Sequence, residues 1–551
     1  MRFTKSKRIL LSFLVLIFFC GFFPGNDDIY FEVSRNIDLF GKVYKEISFN
    51  YVDEINPEEF MQAGISGMLK TLDPYTIFID ENRKDEIDLI TNGKYGGVGI
   101  SIGVRGDNVT IIEILDGYSA QKQGLRIGDV LIEAGGTKVS SQNVDDISSL
   151  VKGEPGTMVK LKVLRNEGKD TIDFNLVREE VIIKNLTFYG FYPESTNNAY
   201  IKLSNFSRSA GDELKKALKE LRSQKEIKSI VLDLRGNPGG LLDVAVDICD
   251  KFLNKELLIV TTRGRDDASE KKYYSMQEPM FGNGKLAVLV NEGSASASEI
   301  LAGAIQDHDR GIILGTKTFG KGLVQTITPL NFNTSLKITT AKYYTPSGRS
   351  IQKVDYSKKS KVFAGGDSIV TGKFLTDNER TVYSGGGITP DTIIQFEIEG
   401  EITRDLLAKG LFFQFADHYY YANSTIKFSD LNDEKLYNEF KDYLAEQKYN
   451  YHSESEHELD ELIKDVEKKK LGENLSSDLK KIKTQFEKLG LNELSTFKAE
   501  VIREIREEAA SRYLGSEGKV KEILNSDKQF KAALDMIGSS NYQKLLGSKK
   551  Y

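Results

Sequence analysis

The stretch Leu286–Ile300 reads LAVLVNEGSASASEI: an apolar run, a polar turn with one glycine and three serines, and then the start of a second apolar pattern. A short apolar run closed by such a turn predicts a buried strand. Ala297, Ile300, Leu301, Ala304 and Ile305 then fall on one helical face, so the strand feeds directly into a helix. Ser296 stands at that helix N-terminus, where unpaired N–H groups and the helix dipole steady negative charge. The position suits a nucleophile. Taken alone, Ser294, Ser296 and Ser298 read at least as well as caps, because serine is a favoured N-cap.

Working outward, residues 183–400 alternate strand and helix patterns, with further buried runs at Ser229–Leu234 and Gly311–Leu314; this predicts an α/β core. Loops in such sheets gather beyond the carboxyl ends of the strands. A serine nucleophile needs a base, and the core has only His308, twelve residues beyond Ser296 on the same helix and therefore about 18 Å away. His418, His452 and His457 lie beyond residue 400, so a Ser-His-Asp triad has no support. The strand ending at Gly315 leads into TKTFGKG at residues 316–322 and then Gln325. Lys321 is the better base: its free pKa of about 10.4 falls by several units when an amine is buried. Gln325 could orient that amine. Gly315–Lys321 spells G-x-x-x-x-G-K, but Gly322 follows where a phosphate loop needs Ser or Thr. Glu299 replaces the lysine of a Ser-x-x-Lys motif, and no G-x-S-x-G elbow surrounds Ser296. VLDLRGNPGG, residues 231–240, ends a buried strand on two glycines behind a proline. Such a turn can aim N–H groups at an oxyanion, with Ala297 N–H as second donor, and reads also as an ordinary strand-to-helix turn.

Residues 84–182 are different: glycines punctuate short strands such as Val109–Leu115, Val130–Glu133 and Val159–Leu164. Tyr95-Gly96-Gly97-Val98-Gly99-Ile100 and, later, Ser119-Ala120 through Gly124-Leu125-Arg126-Ile127-Gly128-Asp129 each precede a strand, and together resemble a PDZ domain. Glycine-rich backbone can turn N–H groups toward a carboxylate while the next strand offers an edge for peptide pairing, with Val98 and Ile100 lining the adjoining pockets. Before this module, residues 26–83 carry two helical patterns, closed at Leu72-Asp73-Pro74. After residue 400 glycine thins out and charged amphipathic runs such as Val501, Ile502, Ile505 and Ala509 predict a helical extension, residues 401–551; its charge reads as a solvated surface or as a docking arm.

The 551 residues suit several domains. With 81 acidic against 75 basic residues and a net charge of −6, nucleic acid is not the default partner. Two cysteines, Cys20 and Cys249, exclude a disulfide framework and a Cys-rich zinc site, and four scattered histidines argue against a metal cage; no cofactor is expected. Arg2, Lys5, Lys7 and Arg8 precede the apolar run Ile9–Phe23, so residues 1–25 read as an export signal, cleaved or kept as an anchor, and the protein as one of the periplasm or cell envelope.

The order and spacing of the LDP segment, the PDZ module, DLRGNPGG, VLVNEGSASASEI, TFGKGLVQ and YYTPSGRSIQ through GGITPD, over residues 30–400, resemble the C-terminal processing, or tail-specific, proteases. The resemblance implies a crotonase-like, ClpP-like α/β protease core (183–400) with a PDZ domain (84–182) inserted ahead of it. It implies nucleophile Ser296, general base Lys321, assisting Gln325, and oxyanion donors Ala297 with Gly239 or Gly240. Its expected partners are polypeptides with free C-terminal tails, with an envelope adaptor protein and a homo-oligomer as further candidates. A PDZ scaffold with an inactive core, and an acyl-CoA enzyme of the crotonase type, are the rival readings.

Overall fold

The computed structural model describes residues 27–81, 89, 91–165, 168–356, 367–368, 372–396, 399–469 and 472–547. The basic leader, its apolar run and Cys20 lie outside the described residues. No described helix is long and apolar enough to cross a membrane.

Residues up to Phe78 form one compact unit and Ile79 onward another. The first holds helices α1 (Asp27–Asn50) and α2 (Pro57–Leu69). Asn56 caps α2 by accepting from Glu58 N–H at 3.0 Å, with proline at the first helical position, where its missing N–H costs nothing. Tyr44 stacks on Phe60 with centroids 5.6 Å apart and ties the two helices together. At the expected break, the Asp73 carboxylate accepts from the N–H groups of Tyr75 and Thr76.

In the second unit, strand β1 (Lys94–Gly97) opens the PDZ module and is followed by β2 (Ile100–Arg105), β3 (Asn108–Ile114), short helix α3 (Ser119–Lys122), β4 (Val130–Ala134), α4 (Val144–Val151), β5 (Met158–Arg165), β6 (Asp170–Val177) and β7 (Glu179–Ile182). One sheet runs β2-β3-β4-β5-β6, and β1 pairs with β7 beside it. Alternate residues of these strands point into a core built around Ile111, Leu131, Ile147, Leu161 and Leu176.

The α/β core contains β8 (Leu186–Phe191), β9 (Asn198–Leu203), α5 (Ala210–Gln224), β10 (Ser229–Asp233), α6 (Leu242–Cys249), β11 (Leu258–Arg263), β12 (Lys271–Tyr274), β13 (Lys285–Val290), α7 (Ala297–Asp307), β14 (Ile312–Gly315), β15 (Leu323–Pro329), β16 (Ser335–Tyr344) and β17 (Thr392–Ile393). Its main sheet runs β8-β9-β10-β13-β14-β17, parallel from β9 onward. Strands buried on both faces read as unbroken apolar runs, and β10 and β13 do so. A second, antiparallel sheet orders β12-β11-β16-β15. Helices α5, α6 and α7 cover one face of the main sheet. Cys249 sits fully buried there, and burial pushes its thiol pKa well up.

The extension comprises α8 (Glu401–Ala408), α9 (Leu411–Ala422), α10 (Asp433–Glu446), α11 (Glu454–Lys469), α12 (Glu473–Thr496), α13 (Lys498–Ser526, broken at Gly515), α14 (Lys528–Gly538) and α15 (Asn541–Leu545). Its first half builds a core of its own around Leu406, Phe412, Phe440 and Ile505. Its last part does something the composition did not announce. Leu524, Phe530, Ala533, Ile537 and Tyr542 pack on Tyr200, Val231, Leu289 and Leu314, supplying the second face of the main sheet. The PDZ module also rests on this extension, with Arg105 over the Phe413 ring at 5.5 Å and Arg126 over Tyr421 at 5.7 Å.

Candidate active site

The registers Asp233↔Leu289 and Leu289↔Leu314 place the carboxyl ends of β10, β13 and β14 side by side. The three loops singled out in the sequence therefore leave the sheet at one edge. The turn after β13 is tied down by Ser294, whose hydroxyl donates to Leu234 O at 2.8 Å, and by Ala295 N–H donating to Asn237 O at 3.0 Å. Ser298 Oγ reaches the same Asn237 carbonyl at 2.9 Å. Neither flanking serine is free for chemistry.

Ser296 caps α7 with φ 55° and ψ −112°. A serine in the left-handed region carries strain of about 1–3 kcal/mol and persists only where its surroundings over-determine it. Those surroundings centre on Glu299, which is fully buried. Its Oε2 accepts from the N–H groups of Ser296 and Lys321, both at 2.9 Å, and its Oε1 from Thr318 Oγ1 at 2.6 Å and Gly320 N–H at 2.7 Å. Burial raises its pKa to about 7, against the pull of these four donors. Tyr343, at the end of β16, places its hydroxyl 3.1 Å from Ser296 O and hydrogen-bonds Lys321 O as well. One buried carboxylate and one buried phenol thus clamp the Ser296 and Lys321 main chains to each other.

Lys321 is half-buried, just ahead of β15. Gln325 lies on β15, its amide nitrogen 3.2 Å from both Leu323 O and Thr339 Oγ1. His308 is the C-cap residue of α7, far from Ser296; its ring nitrogens engage Asp377 at 2.7 Å and Leu258 O at 2.6 Å.

The turn after β10 separates the two glycines. Gly239 donates its N–H to Asn237 Oδ1 at 2.9 Å, whereas the N–H groups of Gly240 and Ala297 have no acceptor among the described residues. Gly239 (φ 98°) backs onto the serine turn so closely that a β-carbon would sit 2.6 Å from Ala295 O and 2.8 Å from Ala297 N. Only glycine fits there.

In the PDZ module, Tyr95, Gly96 and Gly97 lie on β1, and Gly99 turns with φ 80° into β2. The N–H groups of Val98 and Gly99 have no acceptor among the described residues. Val98 and Ile100 are 1% and 9% exposed and pack in the core of the module, where Ile102, Val144 and Leu150 are among the part-buried apolar residues beside them.

Sequence reasoning missed Glu299 and Tyr343. Glu299 stands three residues after a helix-capping serine, a capping-box signature that was available. Tyr343 opens the YYTPSGRSIQ segment, but nothing local in it points to Ser296, 47 residues away.

Residues 197–358 match the model of peptidase family S41, residues 86–164 the PDZ domain, residues 402–537 the C-terminal helical domain of PDZ-proteases, and residues 26–83 the N-terminal domain of the activating protease CtpB. A carboxy-terminal-processing protease of Bartonella bacilliformis is 36% identical over 321 residues, which is 58% of this chain and 73% of that relative. The carboxy-terminal processing protease CtpB of Bacillus subtilis is 30% identical over 323 residues, 58% of this chain and 67% of the relative. Among solved structures, the photosystem II D1 C-terminal processing protease is 26% identical, covering 66% of this chain and 94% of that one, with a TM-score of 0.36.

Proposed function

Because this chain belongs to the carboxy-terminal processing proteases, serine-type peptidases with a PDZ domain, we propose that it is an exported endopeptidase that grips the C-terminal tail of polypeptides and cleaves them through an acyl-enzyme on Ser296. The observation that carries this reading is the shared clamp. Glu299 and Tyr343 hold the Ser296 and Lys321 segments together while two backbone N–H groups beside them, Gly240 and Ala297, have no acceptor among the described residues.

The neutral amine of Lys321 takes the proton of Ser296 Oγ as the oxygen attacks the scissile carbonyl. Negative charge moves onto the carbonyl oxygen, where Gly240 N–H and Ala297 N–H receive it; the α7 N-terminus adds its dipole. The lysine ammonium then protonates the leaving amine, and the regenerated amine activates the water that releases the acyl group. With the Gln325 amide nitrogen engaged inside the second sheet, its Oε1 is the atom left to accept from the lysine ammonium and aim it. The tail carboxylate binds at the Val98 and Gly99 N–H groups, and the tail pairs along β2 above Ile102, Val144 and Leu150. The basic, apolar leader Arg2–Phe23 is the basis for placing this activity in the periplasm or cell envelope.

The test is covalent. A serine-directed acylating probe should add one equivalent to the wild-type chain, located at Ser296 by peptide mass mapping, and none to the Ser296→Ala form. Labelling at another serine, or none in a chain that hydrolyses peptides, would refute the mechanism.

A further inference from the structure

We propose that the C-terminal extension sets the oxyanion turn, with Asp527 and Gln529 acting as positioning residues that hold Arg235 and, through it, the Gly236–Gly240 segment. The proposal rests on the reading of that turn as the oxyanion site.

Arg235 is the second residue beyond β10. Its guanidinium is shared between its own strand and a segment nearly 300 residues away. Nε lies 3.0 and 3.1 Å from the two Asp233 oxygens, and Nη2 lies 2.6 Å from Asp233 Oδ2. The remaining donors go to the extension: Nη2 to Asp527 Oδ2 at 2.6 Å and Nη1 to Gln529 Oε1 at 3.0 Å. The backbone of Arg235 is gripped as well, its N–H by Asp233 Oδ1 at 2.9 Å and its carbonyl by Lys202 Nζ at 2.9 Å.

Each holding residue is itself fixed at a second point. Asp527 uses Oδ1 to cap α14, accepting from Phe530 N–H at 2.9 Å, so one carboxylate starts the helix and holds the arginine. Gln529 is 1% exposed and donates its amide to Ile394 O at 2.6 Å. Capping alone needs one oxygen; the second is aimed at Arg235. Bidentate and charge-assisted bonds of this kind fix orientation as well as distance.

What they hold is a turn whose path only glycines can follow. Gly236, Gly239 and Gly240 all take positive φ, at 70°, 98° and 154°. Gly236 follows Arg235 directly and donates its N–H to Asn291 Oδ1 at 2.8 Å, inside the serine loop. A shift of Arg235 is therefore passed to Gly236, to Asn291 and to the spacing between the Gly240 and Ala297 donors. Misplacement by about 1 Å costs a rate on the order of 100-fold.

The charges allow a clean variant. Asp233 and Asp527 balance Arg235 and Lys202; when Asp527 is lost Arg235 keeps Asp233, and the single excess positive charge falls on Lys202, whose side chain is 25% exposed. Asp527→Ser keeps an oxygen able to cap α14 and removes the one that reaches Arg235.

In the full-length chain, single-turnover acylation of Ser296 by the serine-directed probe should slow at least tenfold in Asp527→Ser, with the labelled fraction and the KM for a tail peptide unchanged. In an Arg235→Lys background the same substitution should add almost nothing, because both act through one contact. A normal rate constant with a reduced labelled fraction would show that Asp527 supports only folding. Additive losses would show that it acts independently of Arg235. Either result overturns the proposal. Hydrogen exchange of the peptide covering residues 235–240 reads the tie without any activity: exchange should quicken in Asp527→Ser, and unchanged exchange also overturns it. A wild-type chain that neither acylates nor hydrolyses would refute the proposed function instead, leaving the exchange comparison to decide the tie.

Discussion

The glycine turn of the PDZ module and the turn at Ser296, proposed here as tail clamp and serine site, both carry backbone N–H groups without acceptors among the described residues, yet they are supported in opposite ways. At the clamp, Val98 and Gly99 are held by strand pairing on one side and by the apolar burial of Val98 on the other, with the nearby Lys94–Glu180 ion pair exposed to solvent. At the serine site the support is polar and buried: Glu299 with four donors, Tyr343 across two carbonyls, Asn237 and Ser294 between loops. On the proposed function, the difference follows from when the charge exists. A substrate's terminal carboxylate is charged before the encounter, so modest pre-organisation suffices to bind it. An oxyanion exists only in the transition state, and donors that must reorganise to meet it lose their advantage.

The largest effect that tests this contrast is loss of the proposed base. Lys321→Ala should lower peptide hydrolysis by about four orders of magnitude while a fluorescent tail peptide binds with unchanged affinity. Near-normal turnover would remove Lys321 from the mechanism; lost binding would erase the separation between the two sites.

Glu299→Gln comes next. All four neighbours of the carboxylate donate to it, so an amide nitrogen must face at least one N–H group. We expect kcat to fall roughly 100-fold with KM constant, measured on a fluorogenic peptide. A drop confined to KM would move Glu299 out of the support for the serine turn.

Amidating the C-terminus of a substrate removes its charge and little else. KM should rise about tenfold with kcat unchanged, the size expected for charge-assisted bonds at a surface site. Equal KM values for acid and amide would refute carboxylate recognition.

The smallest effect is on stability. The Glu299 pKa lies near 7 in the folded chain against an ordinary 4.5, so the folded state holds its proton longer. Its contribution is complete below pH 4.5 and is lost as pH rises through 7. The Tm of the wild type, relative to Glu299→Gln, should therefore slip by about 2 °C between pH 5 and pH 8. A constant difference across that range would mean that Glu299 does not titrate there. Above pH 7 the group is charged at some expense in stability, and only that anion accepts from all four donors.

Much of the serine site was legible because its parts are local. A strand, a turn and a helix can be read from fifteen consecutive residues, and the distance from Ser296 to His308 follows from helix geometry alone. Lys321 emerged by elimination of the histidines. In the sequence Glu299 reads only as a missing lysine, since a carboxylate's value here comes from donors up to 22 residues away. Tyr343 and the extension were opaque for the same reason. Phe530, Ala533 and Ile537 look like one face of a charged helix until the sheet they cover is known.

The sequence by itself determined the order of the modules, the strand-to-helix placement of Ser296, the loop carrying Lys321 and the glycine turn at the clamp. Each is set by short-range pattern and backbone preference. Tertiary structure alone decided that Gly240 and Ala297, rather than Gly239, keep N–H groups without acceptors among the described residues. It also turned Val98 inward and brought Asp527 to Arg235. Those outcomes depend on which partner reaches a polar group or an apolar face first in three dimensions, and hydrogen-bond satisfaction between distant segments leaves no periodic trace in the chain.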